Sequence, residues 1–202
     1  MQKILTLALI GALTCAAFSP AAQASPLKSY KTGNVAVSAG LSAPTSLNFT
    51  EHDNYGKKGS FYAGATVGLG QNLGLNYKYN QYKTSEDPSV TAQQVNLMYK
   101  VLPWVDIYGG YVNAKTQVDG SSHTSNSGQV GLQARYDIPL LFTVWGNIGV
   151  GSKLNSYELG VSKALLNNLE LDLSYYDSRF KNIDQGGDVK AHGINLGLTV
   201  KF

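Results

Sequence analysis

Apolar and polar residues alternate with a period of two through ten separate segments of this 202-residue chain. Period two over about ten residues means a β-strand with two unlike faces. Near the start, Val35, Val37, Ala39 and Leu41 alternate with Asn34, Ala36, Ser38 and Gly40. Further on, Leu73, Leu75, Tyr77 and Tyr79 oppose Gly74, Asn76, Lys78 and Asn80, and Leu169, Leu171, Leu173 and Tyr175 oppose Glu170, Asp172, Ser174 and Tyr176. One stretch, 105–117, breaks the rhythm. Val105 and Ile107 take one parity there and Val112 and Ala114 the other, which a β-bulge at Gly109-Gly110 would reconcile.

The connections fall into two kinds. Gly70-Gln71-Asn72, Leu102-Pro103-Trp104, Asp137 to Leu141 and Leu166-Asn167-Asn168 are tight turns. Between them lie longer polar stretches, Pro44 to Gly59, Lys83 to Thr91, Asp119 to Gly128 and Ser178 to Asp188, expected to be loops; a fifth, Gly151 to Ser156, is short. Short turns at one end and long loops at the other are how membrane barrels are built. The fold class expected is therefore all-β, a closed antiparallel up-and-down transmembrane β-barrel of about ten strands, with eight as the alternative. An even strand count brings both termini to the turn side, which is periplasmic in such barrels.

The first 24 residues stand apart. Lys3 charges a short start, Ile4 to Ala17 is almost wholly apolar, and Ala22-Gln23-Ala24 supplies small residues before Ser25. That is the pattern of a cleaved secretory signal peptide, leaving 25–202 as a single barrel domain. A lipoprotein alternative at Cys15 is weighed against Thr14, which stands where Gly or Ala is wanted. Cleavage removes the one cysteine, so the exported part can have neither a disulfide nor a thiol-based site. It also holds no run of about 18 apolar residues, as a membrane helix needs.

Alternation alone leaves open which face points inward; a soluble ten-stranded clam would bury the apolar one. The charged fraction is 14%, with 22 glycines, and the polar face is rich in Gly, Ser, Asn and Thr. A water-exposed surface carries roughly 25–35% charge, so the polar face is assigned to the interior. Aromatic residues on the other face gather toward the strand ends: Phe61, Tyr79, Tyr157 and Tyr175 on the loop side, Tyr99, Tyr136, Phe142 and Phe202 on the turn side. Two such belts are what interfacial anchoring requires.

The chain ends on Ile194-x-Leu196-x-Leu198-x-Val200-x-Phe202. This strand with its terminal Phe resembles the C-terminal signal of bacterial outer-membrane proteins. With the signal peptide and the hairpin rhythm, it makes residues 33–202 similar in pattern to the small-barrel class (the OmpA membrane domain, OmpX and porin-like relatives). The resemblance implies a bacterial outer membrane, neighbours of membrane lipid and lipopolysaccharide, an assembly machinery that reads the last strand, and a monomer without cofactor. With lipid outside, the backbone must be satisfied within the sheet, so the sheet must close.

By parity the interior receives Lys78, Lys100, Arg135 and Lys201 with Asp106, Glu158, Glu170 and Asp172, four charges of each sign. These lumen charges could line a narrow channel or pair into a network that plugs it, because buried charges need partners. Tyr62, Met98, Trp145 and Tyr176 also point inward, and ten strands sit between the filled eight and the open sixteen. A filled or very narrow lumen is the expectation.

Catalytic patterns are sparse. His123-Thr124-Ser125 has the His-x-Ser spacing of barrel lipid hydrolases, but its Gly/Ser/Asn surroundings read as a loop. Glu51-His52-Asp53 in the first long stretch could hold a cation or an acid–base group, yet successive residues point in different directions. His192 shares the parity of Ile194, and no two histidines have ligand spacing, so no metal is expected. A net charge of +3 is too mild for nucleic acid. Basic and aromatic residues in the outer stretches (Asn48, His52, Asn54, Tyr55, Lys57 and Lys58, then Arg179, Phe180 and Lys181) could serve recognition, since binding residues often sit on loops held by a rigid scaffold. The expected function is a porin-like narrow passive pore or a structural envelope barrel. A surface recognition or adhesion barrel is the alternative, and a lipid-acting or proteolytic barrel enzyme ranks last.

Overall fold

The computed structural model describes residues 25–49, 57–85, 88–118, 120–184 and 187–202. The signal segment, residues 1–24, lies outside them, as does Glu51-His52-Asp53 with Asn54 and Tyr55.

Ten strands form one antiparallel meander. They are β1 (Val35–Phe49), β2 (Ser60–Gly70), β3 (Leu73–Thr84), β4 (Ser89–Leu102), β5 (Val105–Val118), β6 (Ser121–Ile138), β7 (Phe142–Gly151), β8 (Leu154–Leu166), β9 (Leu169–Asp184) and β10 (Gly187–Lys201). A two-residue strand, Lys57–Lys58, adds onto Thr84 and Lys83 at the loop end of β3. Each strand pairs with the next, and β10 returns to β1 from Ala36↔Lys201 to Phe49↔Val189, which closes the barrel. Reciprocal backbone bonds between Val35 and Phe202, at 3.0 and 2.8 Å, finish the seam at the turn end. Ten strands replace the alternative of eight.

The tight turns fall where the sequence puts them. Gln71 and Asn72 both take positive φ, 51° and 64°, the conformation of a two-residue hairpin loop whose twist matches its strands.

Two expectations fail, for one reason. There is no bulge at Gly109-Gly110: β5 pairs in continuous register with β4 from Ser89↔Gln117 to Lys100↔Asp106, with Gly110 opposite Asn96. Val112 and Ala114 therefore face inward, where both are fully buried. The described parts of the long polar stretches are also largely strand rather than loop. β1 runs on to Phe49, β3 to Thr84 and β9 to Asp184, while β6 already begins at Ser121. The cause is a change in what the interior contains. Toward the loop end the inward residues turn apolar and pack together, so the strands continue as the wall of a second core.

The outward face changes in the opposite sense. Leu75, Leu97, Ile107, Leu132, Leu159, Leu173 and Leu196 are exposed on it nearer the turns. Beyond them the same parity carries Gln81, Lys83, Gln93, Lys115, Asn126, Asp177, Arg179 and Lys190. One barrel thus has two halves of opposite polarity. Near the turns it is apolar outside and polar inside; near the loops it is polar outside and apolar inside, as in a water-soluble barrel.

Candidate functional site: the barrel interior

The interior has three layers. At the turn end, the segment before β1 enters the mouth and meets half of the charges that parity assigns inward. Tyr30 is 2% exposed, and its hydroxyl donates to Asp106 Oδ2 at 3.0 Å. Lys100 Nζ donates to Asp106 Oδ1 at 2.7 Å and to the carbonyl of Leu27 at 3.4 Å. The same ammonium stands 4.8 Å from the centre of the Tyr30 ring, a cation–π distance. Arg135 donates to the carbonyl of Pro26 at 2.6 Å and pairs with Asp137. Lys201 bonds both oxygens of Glu170, at 2.7 and 2.8 Å, and Ser25 Oγ at 3.2 Å. Room for the Tyr30 ring comes from Gly74, where any Cβ would stand 2.8 Å from the ring.

The middle layer is a hydrogen-bonded network. Asn96 donates to Asn76, which donates to Thr66, while Gln129 bridges Gln94 and Asn96. Tyr108 donates to Asn147 at 2.9 Å and Asn147 to Gln133 at 3.2 Å. Asp172 accepts from Ser162 and Thr199, and Glu158 accepts from Ser174 at 2.7 Å and Asn195 at 3.4 Å. Trp145 lies across the interior with its indole N–H on Ser162 Oγ at 2.8 Å. Its ring fits because Gly160 faces it, where a Cβ would come within 2.4 Å. Lys78 and Glu158 border the same small cavity beneath Tyr82 and Tyr176.

The loop-end layer is apolar. Tyr82 packs on Tyr176 at 5.4 Å and edge-on against Phe180 at 5.8 Å. Val90, Val112, Ile183, Val189, Leu47 and Leu154 complete the cluster, all at most 2% exposed. Each such side chain stabilises by about 1.5–3 kcal/mol when withdrawn from water. Above the cluster, Thr116 donates to the carbonyl of Ile183 at 2.9 Å, tying β5 to β9 across the mouth.

All eight lumen charges therefore point inward, but they do not form one cluster. Lys100, Asp106, Arg135, Glu170 and Lys201 gather around the inserted segment; Lys78, Glu158 and Asp172 lie in the middle layer. The inserted segment itself shows no alternation, so nothing in the sequence marked it as interior.

The aromatic residues named from sequence lie on the outer wall. Phe61 stacks on Tyr79 with ring centres 5.5 Å apart; Tyr157 and Tyr175 are each 50% exposed. Tyr99, Tyr136, Phe142 and Phe202 are exposed near the turns, and Ile194, Leu196, Leu198 and Val200 face outward on β10. His123 and Ser125 belong to β6 rather than to a loop and share its inward parity, with His123 opposite Thr116 at the rim. Phe180, expected among surface recognition residues, is wholly buried because its parity points into the apolar cluster. Beside it, Arg179 pairs with Asp188 at 2.6 Å and Lys181 donates to Asn155 at 2.9 Å. Among the described residues, no group of three His, Cys, Asp or Glu could hold a metal ion.

A family model described as the outer membrane protein beta-barrel domain matches residues 6–202. Among solved structures, the chain is similar to Neisserial surface protein A, with 18% identity, a TM-score of 0.49, and coverage of 85% of this chain and 98% of that one. It is also similar to Ail, the attachment invasion locus protein of Yersinia pestis, at 16% identity and a TM-score of 0.39, covering 85% and 99%. An anion-selective porin from Comamonas acidovorans follows at 16% identity and 0.36, covering 77% and 54%. No curated protein matches the chain in sequence.

Proposed function

The chain belongs to the outer membrane protein beta-barrel domain family, an integral barrel of the bacterial outer membrane, and on that premise we propose that it is a sealed structural barrel rather than a passive pore. The observation that carries this reading is the reversal of polarity inside it. A water-filled channel needs a continuous polar lumen, whereas the loop-end interior is a packed apolar cluster centred on Phe180. The turn-end mouth holds the segment 25–34, bound by Lys100, Asp106, Arg135 and Lys201. The lumen charges then act as internal partners, not as selectivity residues.

In this reading the turns and both termini face the periplasm, and residues 1–24 are removed on export. The aromatic belts mark the two lipid interfaces, and the strand Ile194 to Phe202 is offered to the assembly machinery. The barrel is a monomer surrounded by membrane lipid and lipopolysaccharide. The loop-end half, polar outside and packed inside, then projects beyond the hydrocarbon as a rigid platform. That projection favours surface recognition as the second reading. A hydrolytic role is not proposed: His123 and Ser125 share a face, but no described carboxylate bonds to either. Liposome swelling tests the proposal. Folded protein should leave vesicles as impermeable to small sugars as empty ones, and swelling that scales with protein would defeat it.

A further inference from the structure

We propose that the middle layer is a binding site for one water molecule, which joins Lys78 to Glu158 and so ties opposite walls of the barrel together. This rests on the reading of a sealed barrel, because only a closed lumen keeps a single molecule in place. Lys78 stands on β3 and Glu158 on β8, five strands apart in a ring of ten, so they belong to opposite walls. They are 5% and 6% exposed. Among the described residues, no carboxylate is within ion-pair distance of Lys78. One oxygen of Glu158 accepts from Ser174 and Asn195, at 2.7 and 3.4 Å. The other, Oε2, is buried and meets no donor among the described residues.

Both side chains border one cavity. Its free space is about 10 Å³, room for a single water. Tyr82 and Tyr176, with ring centres 5.4 Å apart, stand over it toward the loop end. The Tyr82 hydroxyl shares a hydrogen bond with Ser178 Oγ at 3.4 Å, which fixes that roof.

The two ends select the occupant. An ammonium only donates and a carboxylate only accepts, so whatever lies between them must accept from Lys78 and donate to Glu158. Water does both. A metal cation would meet the ammonium, and an anion the carboxylate, each a like-charge contact where the dielectric is low. An empty or apolar site would leave two buried charges unpaired. A bridging water is enthalpically nearly as good as a direct bond. The bridge also reaches farther than its neighbours. Gln129 to Gln94 and Tyr108 to Asn147 each link strands two apart in the ring, whereas this one crosses the whole interior.

The test reads the water through Lys78. Protein isotope-labelled at lysine Nζ is folded in detergent micelles, and NMR follows magnetisation passed from water to each ammonium. Wild type should show a dipolar cross-peak between a long-lived water and Lys78. The Lys78 ammonium protons should also exchange with solvent far more slowly than those of Lys115, which is exposed on the outer wall. Lys78→Met identifies the signal by removing it, and Lys78→Arg serves if the methionine variant does not fold. Glu158→Met takes away the acceptor and should abolish the cross-peak; a folded Glu158→Met barrel that keeps it would overturn the proposal. A slowly exchanging Lys78 without a water cross-peak in wild type would also overturn it, as the mark of a dry, directly paired site, and would leave the barrel sealed. Exchange at Lys78 as fast as at Lys115 would mean that bulk water fills the lumen, which defeats the sealed reading and the bridge with it.

Discussion

Tyr30 and Asp106 lie 76 residues apart and meet inside the barrel, where the phenol donates to the carboxylate at 3.0 Å. Asp106 also holds Lys100 at 2.7 Å, so one carboxylate serves a strand cation and the segment that enters the mouth. All three are buried, where an unpaired charge costs far more than a missing neutral bond.

The first prediction follows from that asymmetry. Asp106→Asn leaves Lys100 without its counter-charge and should cost about 3–5 kcal/mol. Tyr30→Phe removes one donor to a charged group and should cost about 1.5–3 kcal/mol. Urea unfolding in detergent micelles would rank them; equal effects would mean the mouth is wet enough to screen Lys100.

The loop-end core predicts a contrast between positions of like chemistry. Phe180→Ala opens a cavity in a packed apolar cluster and should cost about 3–5 kcal/mol. Leu196→Ala, on the outward face, should cost much less, because lipid fills the space. Comparable losses at both sites would contradict the assignment of inside and outside.

Outward charge should separate the two halves. Leu97→Arg, in the apolar band, should destabilise by about 2–4 kcal/mol in a bilayer. Asn126→Arg, on the same outward face beyond that band, should be nearly neutral. Refolding yields into vesicles would read the difference, and a penalty at Asn126 would move the lipid boundary toward the loops.

Glycine in the middle layer is required by close approach. At Gly160 an added Cβ would stand 2.4 Å from the Trp145 ring. Gly160→Val should therefore displace the indole and shift Trp emission toward that of a hydrated ring, with about 1–3 kcal/mol lost to overpacking. Unchanged emission would show that Trp145 has another place to lie.

Much of this was legible in the residues. Period two located the ten strands of the barrel, and the run from Ile194 to Phe202 marked the last of them. What the alternation could not carry was the reversal between halves. A strand reads the same whether its apolar face meets lipid or a core, and both occur here along single strands. On β5 the reversal falls near Gly109-Gly110, so Val112 and Ala114 looked like residues out of register and suggested a bulge. For the same reason, polar outward residues such as Asn126 and Arg179 made strand look like loop. Segment 25–34 stayed hidden because its place depends on Gly74 and Asp106, far away in the chain.

In a sealed barrel the lumen is closed at both ends, by the Phe180 cluster and by segment 25–34. Single-channel recording of folded protein in a planar bilayer reads that closure. A silent trace is expected for the wild type and for a variant lacking residues 25–31, since the Phe180 cluster still blocks the loop end. Discrete, reproducible current steps from the wild type would contradict it and return Lys78, Glu158 and Asp172 to the wall of a water-filled pore.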